Sequence, residues 1–251
     1  MSEKSAIDSS VYDASFYAHR GKSTSYAAAA VLGQVLKFVP EVRSAVDFGC
    51  GSGVWLHTLR SLHPVPDVLG VDGPWVAREH LAIPVEAFRE EDMNQPVVLD
   101  HRYDLAMSLE AAEHLYPNNA GTFVDTLCAA SDFILFSAAV PGQEGKNHFN
   151  EQWPDYWATL FRARGYHVVD CLRGELWHDE QIPFWYRQNA LLMVAASRVD
   201  DLHPDVWKAP TPLSIVHPRT FEDYFRRSRS IKESWKWLRR AIKRQWFGID
   251  C

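Results

Sequence analysis

Apolar and polar positions change period several times along this chain. In 25–38 (SYAAAAVLGQVLKF) apolar residues recur three and four apart, which predicts a helix. Short apolar runs of strand length follow at 44–48 (SAVDF), 67–71 (DVLGV), 103–108 (YDLAMS), 132–138 (DFILFSA), 166–171 (YHVVDC) and 188–195 (QNALLMVA). Between them, 53–62, 75–81, 109–115, 118–130 and 153–164 carry helical spacing. Strands that alternate with helices predict a parallel sheet covered on both faces, an α/β fold. After about residue 198 the pattern breaks, with Pro204, Pro210, Pro212 and Pro218 in a connector. A polar, basic helix is expected from Thr220. In 231–246, Ile231, Trp235, Leu238, Ile242 and Trp246 form one apolar stripe, and Lys232, Lys236, Arg239, Arg240, Lys243 and Arg244 take the other faces.

The first strand runs into AVDFGCGSGVW, which sets Asp47 ahead of Gly49, Gly51 and Gly53. Glycine allows positive φ and lets a ligand approach the backbone, and such sheets bind ligands at the carboxyl ends of their strands. A dinucleotide fingerprint needs G-x-G-x-x-G, yet here Val54 stands where its third glycine would be. A carboxylate at Asp47 would repel a pyrophosphate. It suits a cationic ligand with an amino group, and S-adenosyl-L-methionine carries both an ammonium and a sulfonium. Asp72, followed by Gly73, ends the next strand, where a carboxylate can accept both ribose hydroxyls. Asp92 and Met93, in EEDMN, then offer a partner and an apolar wall for adenine. A nucleotide-dependent oxidoreductase and a plain structural loop are the competing readings of the glycine motif alone.

With AVDFGCGSG, VLGVDG, EEDMN and YDLAMSLEAAEHL, the chain resembles the class I S-adenosylmethionine-dependent methyltransferases from about residue 12 to 197. The resemblance implies a Rossmann-like seven-stranded sheet with helices on both faces and the last strand antiparallel, occupying 1–200. It implies that Asp47, Gly49, Gly51 and Gly53 line the methionine end, that Asp72 and Gly73 serve the ribose, and that Asp92 and Met93 serve adenine. Ser108 and Glu110 would complete the cofactor side. A lid over about 1–30 would bring Tyr12 and Tyr17 to the cofactor. Residues 201–251 form the connector and the basic helical tail.

Glu110, Glu113 and His114 in SLEAAEHL would share one face of a helix at the end of the fourth strand. His148 follows the fifth strand on the same rim. Two carboxylates and two imidazoles suit a hard or borderline divalent cation, Mg2+ or Mn2+. The pattern is similar to that of metal-dependent O-methyltransferases that act on vicinal oxygens, including terminal-ribose enzymes of small RNAs and ubiquinone-pathway enzymes. In those terms Glu110, Glu113, His114 and His148 are the ligands and the metal acidifies the acceptor oxygen. Without metal, His148 or His114 is the general base, with Glu113 beside it.

Glu151, Gln152, Trp153, Tyr156 and Trp157 read either as an acceptor-binding wall or as the capped start of a helix with core aromatics. Trp177, His178, Trp185 and Tyr186 lie before the last strand, where the family often lines its acceptor site. The stretch SIVHPRTFEDYF resembles the ends of bacterial enzymes of glycan and lipid-linked sugar pathways, which favours a sugar hydroxyl.

Charge adds one asymmetry. The chain carries a net −6, yet from Arg219 onward ten Lys and Arg stand against four Asp and Glu. That tail suits packing on the acidic body or on a second copy as a homodimer, an anionic membrane surface, or, less well, nucleic-acid phosphates. No run reaches the roughly 18 apolar residues of a membrane span, and MSEKSAIDSS shows no apolar signal core. The four cysteines form no CxxC pair. Together these predict a cytoplasmic protein with reduced thiols, peripheral at most to a membrane. The expected activity is methyl transfer to an oxygen of a small molecule or glycan. A ribose methyltransferase on nucleic acid and a non-catalytic cofactor-binding scaffold are the alternatives.

Overall fold

Along the central strands, neighbouring residues feed two different cores. Phe133 and Leu135 belong to one apolar cluster, Ile134 and Phe136 to the other. Leu192 and Val194 alternate with Leu191 and Met193 in the same way. Both faces of the sheet are therefore buried, and its strands read as continuous apolar runs rather than alternating ones.

The protein was described from a computed structural model, which covers residues 14–204, 206, 214–228, 230–232, 234, 235, 238 and 239. Tyr12, Pro210, Pro212 and Trp246 lie outside the described residues. The elements run α1 (Ala14–Phe38), β1 (Ser44–Phe48), α2 (Val54–Leu62), β2 (Asp67–Asp72), β3 (Phe88–Glu90), β4 (Leu105–Leu109), α3 (Ala120–Ala130), β5 (Phe133–Ser137), α4 (Pro154–Arg162), β6 (Tyr166–Val169), α5 (Arg173–Leu176), α6 (Phe184–Asn189), β7 (Leu191–Ala195) and α7 (Pro218–Ser228). The seven strands form one sheet in the order β3-β2-β1-β4-β5-β7-β6. All pairs are parallel except those of β7, which runs antiparallel to both β5 and β6. This is the Rossmann-like sheet with an antiparallel last strand that the resemblance implies.

One face is covered by α1 and α2 through Val31, Leu32, Val35, Leu56 and Leu59. The other is covered by α3 and α4 through Phe123, Leu127, Trp157 and Phe161. Trp157 is 2% exposed and packs on Phe136 in a tilted ring contact at 5.3 Å. It is a core residue of α4, whose first turn begins with Pro154, so the helix-start reading of 153–157 holds for it.

Three expectations change. The helix expected at 25–38 begins at Ala14, so α1 includes Tyr17 and much of the expected lid. The helix expected at 75–81 is reduced to a 3-10 turn, Arg78–His80; Pro74 and Pro84 bracket this segment and limit helix length. The helix expected at 109–115 does not form. The Glu110 N–H instead donates to the Ser137 carbonyl of the β5 end at 3.0 Å, and Glu110 adopts φ 53°. Only Ala112–His114 makes a 3-10 turn. No helix among the described residues is long and apolar enough to cross a membrane. Ile231, Trp235 and Leu238 are exposed.

Candidate active site

The carboxyl ends of β1, β2 and β4 converge around the glycine loop. Gly49 follows β1 with φ 83°, and its N–H donates to the Val71 carbonyl at 2.8 Å. A Cβ at this position would stand 2.4 Å from the Ala111 Cβ and 3.9 Å from the Met93 Cε. Only glycine fits that crossing of positive φ and close approach. The contact also shows that the loop, the residue after Asp92 and the chain leaving β4 touch one another. Gly53 then caps α2 with φ 78°.

Asp47 sits at the centre of this rim, 2% exposed, with its Oδ2 buried and without a hydrogen-bond partner. Burial, with the Asp72 charge behind it, pushes its carboxyl up to about 8. Asp72 faces the loop differently. Gly51 N–H donates to its Oδ2 and Gly73 N–H to its Oδ1, both at 2.7 Å. Burial raises this carboxyl too, while those two amides and Trp75 pull it back. The ring of Trp75 lies against Gly73. Asp92 closes an Asx turn on Asn94 N–H at 3.0 Å, and Met93 is buried beside it. Ser108, fully buried on β4, also has an unpartnered hydroxyl oxygen.

Beyond Ala111 the chain turns so that Glu113, His114 and His148 offer ligand atoms within 4.8 Å of one another. Glu113 is 1% exposed and its Oε2 has no hydrogen-bond partner. Burial raises its carboxyl well above the usual range, and the Glu110 charge adds to this. Each imidazole is anchored through Nδ1: His114 to the Asn147 carbonyl at 3.0 Å, His148 to the Glu151 Oε1 at 2.8 Å. Glu151 is itself held by Gly142 N–H at 2.9 Å. In the neutral ring such a contact protonates Nδ1 and leaves the lone pair on Nε2. The His148 Nε2 stands 4.0 Å from the Glu113 Oε1, and the two rings meet edge to face at 4.8 Å. His148 packs on Gly145, whose absent Cβ would fall 2.1 Å from Nε2.

Glu110 stands apart from this trio. Its Oε2 accepts from the Gln143 amide at 2.7 Å and its Oε1 from the Asn189 amide at 3.1 Å. Those bonds and Ser137 oppose the upward push of burial on its carboxyl. The positive φ of Glu110 is the physical reason: it turns the side chain away from the His114 direction that a helix would have given. Among the described residues only Glu110, Glu144 and Asn147 are non-glycine residues with positive φ, and all three belong to this rim.

The sequence reading did not include Gln143, Asn147, Gln188 or Asn189. Buried amides carry no spacing signature, and Asn189 sat inside a run read as strand. The aromatics before β7 divide. Tyr186 is buried against Trp55 at 5.2 Å, while Trp177 meets His217 in a tilted contact at 4.8 Å.

Compared by sequence, the chain matches no protein-family model and no curated protein. Its fold does match solved structures. A methyltransferase in complex with the Haloferax volcanii Trm112 methyltransferase activator aligns with a TM-score of 0.53 at 17% identity, over 72% of this chain and 96% of the other. Streptomyces venezuelae DesVI aligns at 0.54 and 15%, over 76% and 99%. The plantazolicin methyltransferase BpumL, in complex with SAH and a pentazolic desmethyl analogue, aligns at 0.53 and 16%, over 76% and 92%. The chain thus shares the fold of S-adenosylmethionine-dependent methyltransferases.

Proposed function

We propose that the protein transfers a methyl group from S-adenosylmethionine to an oxygen of a small-molecule or glycan acceptor, with a divalent cation at Glu113, His114 and His148. The observation that carries the reading is this trio: Glu113 and His114 follow Ala111 by two and three residues, Ala111 itself touches the glycine loop, and His148 meets them from the loop after β5. Cofactor and metal sites are therefore neighbours on one rim.

Both groups fit the residues present. The unpartnered Asp47 Oδ2 is a buried acceptor, and the ammonium end of the cofactor matches it in donors and, once the carboxyl gives up its proton, in charge. Met93 presents an apolar surface near the loop, and Asp72 and Asp92 bring acceptors to the ribose and adenine side. Glu113 Oε2 and two imidazoles held through Nδ1 form an oxygen–nitrogen–nitrogen donor set with oriented rings. Two imidazoles favour Mn2+ over Mg2+. A bound cation there supplies Lewis acidity that lowers the pKa of an acceptor hydroxyl. Glu151 and the Asn147 carbonyl keep the rings in place. The rim excludes water around Asp47, Ser108 and Glu113, which strengthens every charge interaction inside it.

The sugar-type acceptor rests on the SIVHPRTFEDYF resemblance. The 2.8 Å contact between His148 and Glu151 supports a second reading, in which that pair removes the acceptor proton without metal. The test is transfer of labelled methyl from S-adenosylmethionine into pools of sugar nucleotides and glycans, catechols, and short RNAs, with and without EDTA. Chelator-sensitive labelling of one pool is the expected result. Labelling that ignores EDTA would replace the metal with the His148–Glu151 base. No labelling in any pool would overturn the activity.

A further inference from the structure

The C-terminal helix α7 meets the rim through a chain of buried amides. The Gln188 Oε1 accepts from the His217 N–H and from the Thr220 hydroxyl, both at 2.7 Å, at the start of α7. The Gln188 Nε2 donates to the Asn189 Oδ1 at 2.9 Å. The Asn189 Nδ2 donates to the Glu110 Oε1 at 3.1 Å and to the Gln143 Oε1 at 2.9 Å. The Gln143 Nε2 closes the set on the Glu110 Oε2 at 2.7 Å. Gln188, Asn189 and Thr220 are 0%, 3% and 6% exposed.

This chain has one possible direction. Both Glu110 oxygens accept from amides, and a backbone N–H only donates. With Glu110 at one end and His217 N–H at the other, each amide between them has one orientation. Flipping any of them places donor against donor in a buried setting, which costs more than the lost bond. Tyr224 of α7 packs over Gly142, whose N–H holds Glu151. The helix therefore reaches the rim at two points.

The geometry points to Thr220 and Gln188 as positioning residues that fix the place of Glu110 from the C-terminal helix, through Asn189. The inference rests on the methyltransferase reading for its consequence in turnover, but not for the chain itself. Loss of the Thr220 hydroxyl removes one of two donors on Gln188. The slack passes through Asn189 to the Glu110 carboxylate.

The experiment compares full-length wild type, Thr220→Val and Thr220→Ser. Side-chain amide resonances of Gln143 and Asn189 are followed by NMR, alongside labelled-methyl turnover and S-adenosylmethionine affinity. The expected result is that Thr220→Val shifts both amide pairs and lowers turnover about fivefold, the scale of one hydrogen bond. Thr220→Ser restores both. Amide resonances that do not move in Thr220→Val would overturn the chain. Shifted resonances with unchanged turnover and cofactor affinity in an active enzyme would overturn the positioning role. A wild type that neither binds nor uses the cofactor would sink the methyltransferase reading, while the resonances alone would still decide whether α7 holds Glu110.

Discussion

Asp47 and Glu110 are two carboxylates at the ends of adjacent strands, and they are satisfied in opposite ways. Asp47, on β1, has a buried oxygen with no partner. Glu110, just past β4, has amide donors on both oxygens. The first keeps a buried acceptor that no group of the protein fills; the second is completed by the protein itself. The backbone shows the same division. The Asp47 side is built from main-chain turns around glycine, the Glu110 side from side-chain amides brought together across about 110 residues of sequence, from Glu110 to Thr220. A cofactor common to many enzymes suits the first kind of construction, and a particular acceptor suits the second.

The largest effect is expected at the acceptor side. His148→Ala should lower methyl transfer by roughly 10²–10⁴-fold and leave cofactor affinity within about twofold, measured by calorimetry. Loss of cofactor binding as well would merge the two regions and break the comparison. On the other side, Asp47→Asn should weaken S-adenosylmethionine about 10- to 100-fold, since a buried charge partner is lost.

The same substitution has an opposite sign in the ligand-free protein. Asp47 is raised in the folded state to about 8, above its unfolded value, so the native state binds the extra proton. Its contribution to stability falls as pH rises from about 4 towards 8. Relative to wild type, Asp47→Asn should gain at most roughly 1.4 kcal/mol per pH unit across that window, read by urea unfolding at several pH values. No pH-dependent difference would mean the carboxylate already has a partner. Correspondingly, cofactor binding near pH 7 should release close to one proton per site, visible as a buffer-dependent binding enthalpy.

A smaller effect sharpens the metal site. Gly145→Ala forces a methyl group to within 2.1 Å of the present His148 Nε2 position, so the ring must shift. Mn2+ affinity should fall about tenfold, with cofactor affinity unchanged. Equal Mn2+ binding would show that His148 is not a ligand.

The sequence made the sheet legible because apolar runs of strand length have few other uses. The run at 44–48 coincides with β1, and Asp47, Gly49 and Asp72 are recognisable since the main chain fixes their work locally. The helix expected at 109–115 failed because a hydrogen bond to Ser137, 27 residues away, overrides the local spacing that suggested it. Glu113, His114 and His148 do meet, but through a left-handed residue and a loop rather than a shared helix face. Gln143, Gln188 and Asn189 were invisible for a different reason. Their role comes from polarity matched in three dimensions, and an isolated glutamine in a sequence has none. In 153–157 the sequence leaves two readings open: Trp157, buried beside Phe136, belongs to the core, while Trp153 is exposed.

The antiparallel β7 has a topological outcome. It delivers the chain to the floor of the sheet, where Ala195 N–H meets the Asp132 carbonyl and His203 N–H meets the Phe38 carbonyl. To place α7 against Gln188, the chain must climb back to the opposite rim. The strand pairings reach no further than Ala195, so changes beyond that residue disturb none of them. Variation beyond Ala195 would then reach the Glu110 rim through α7 and Gln188 while leaving the whole strand ladder intact.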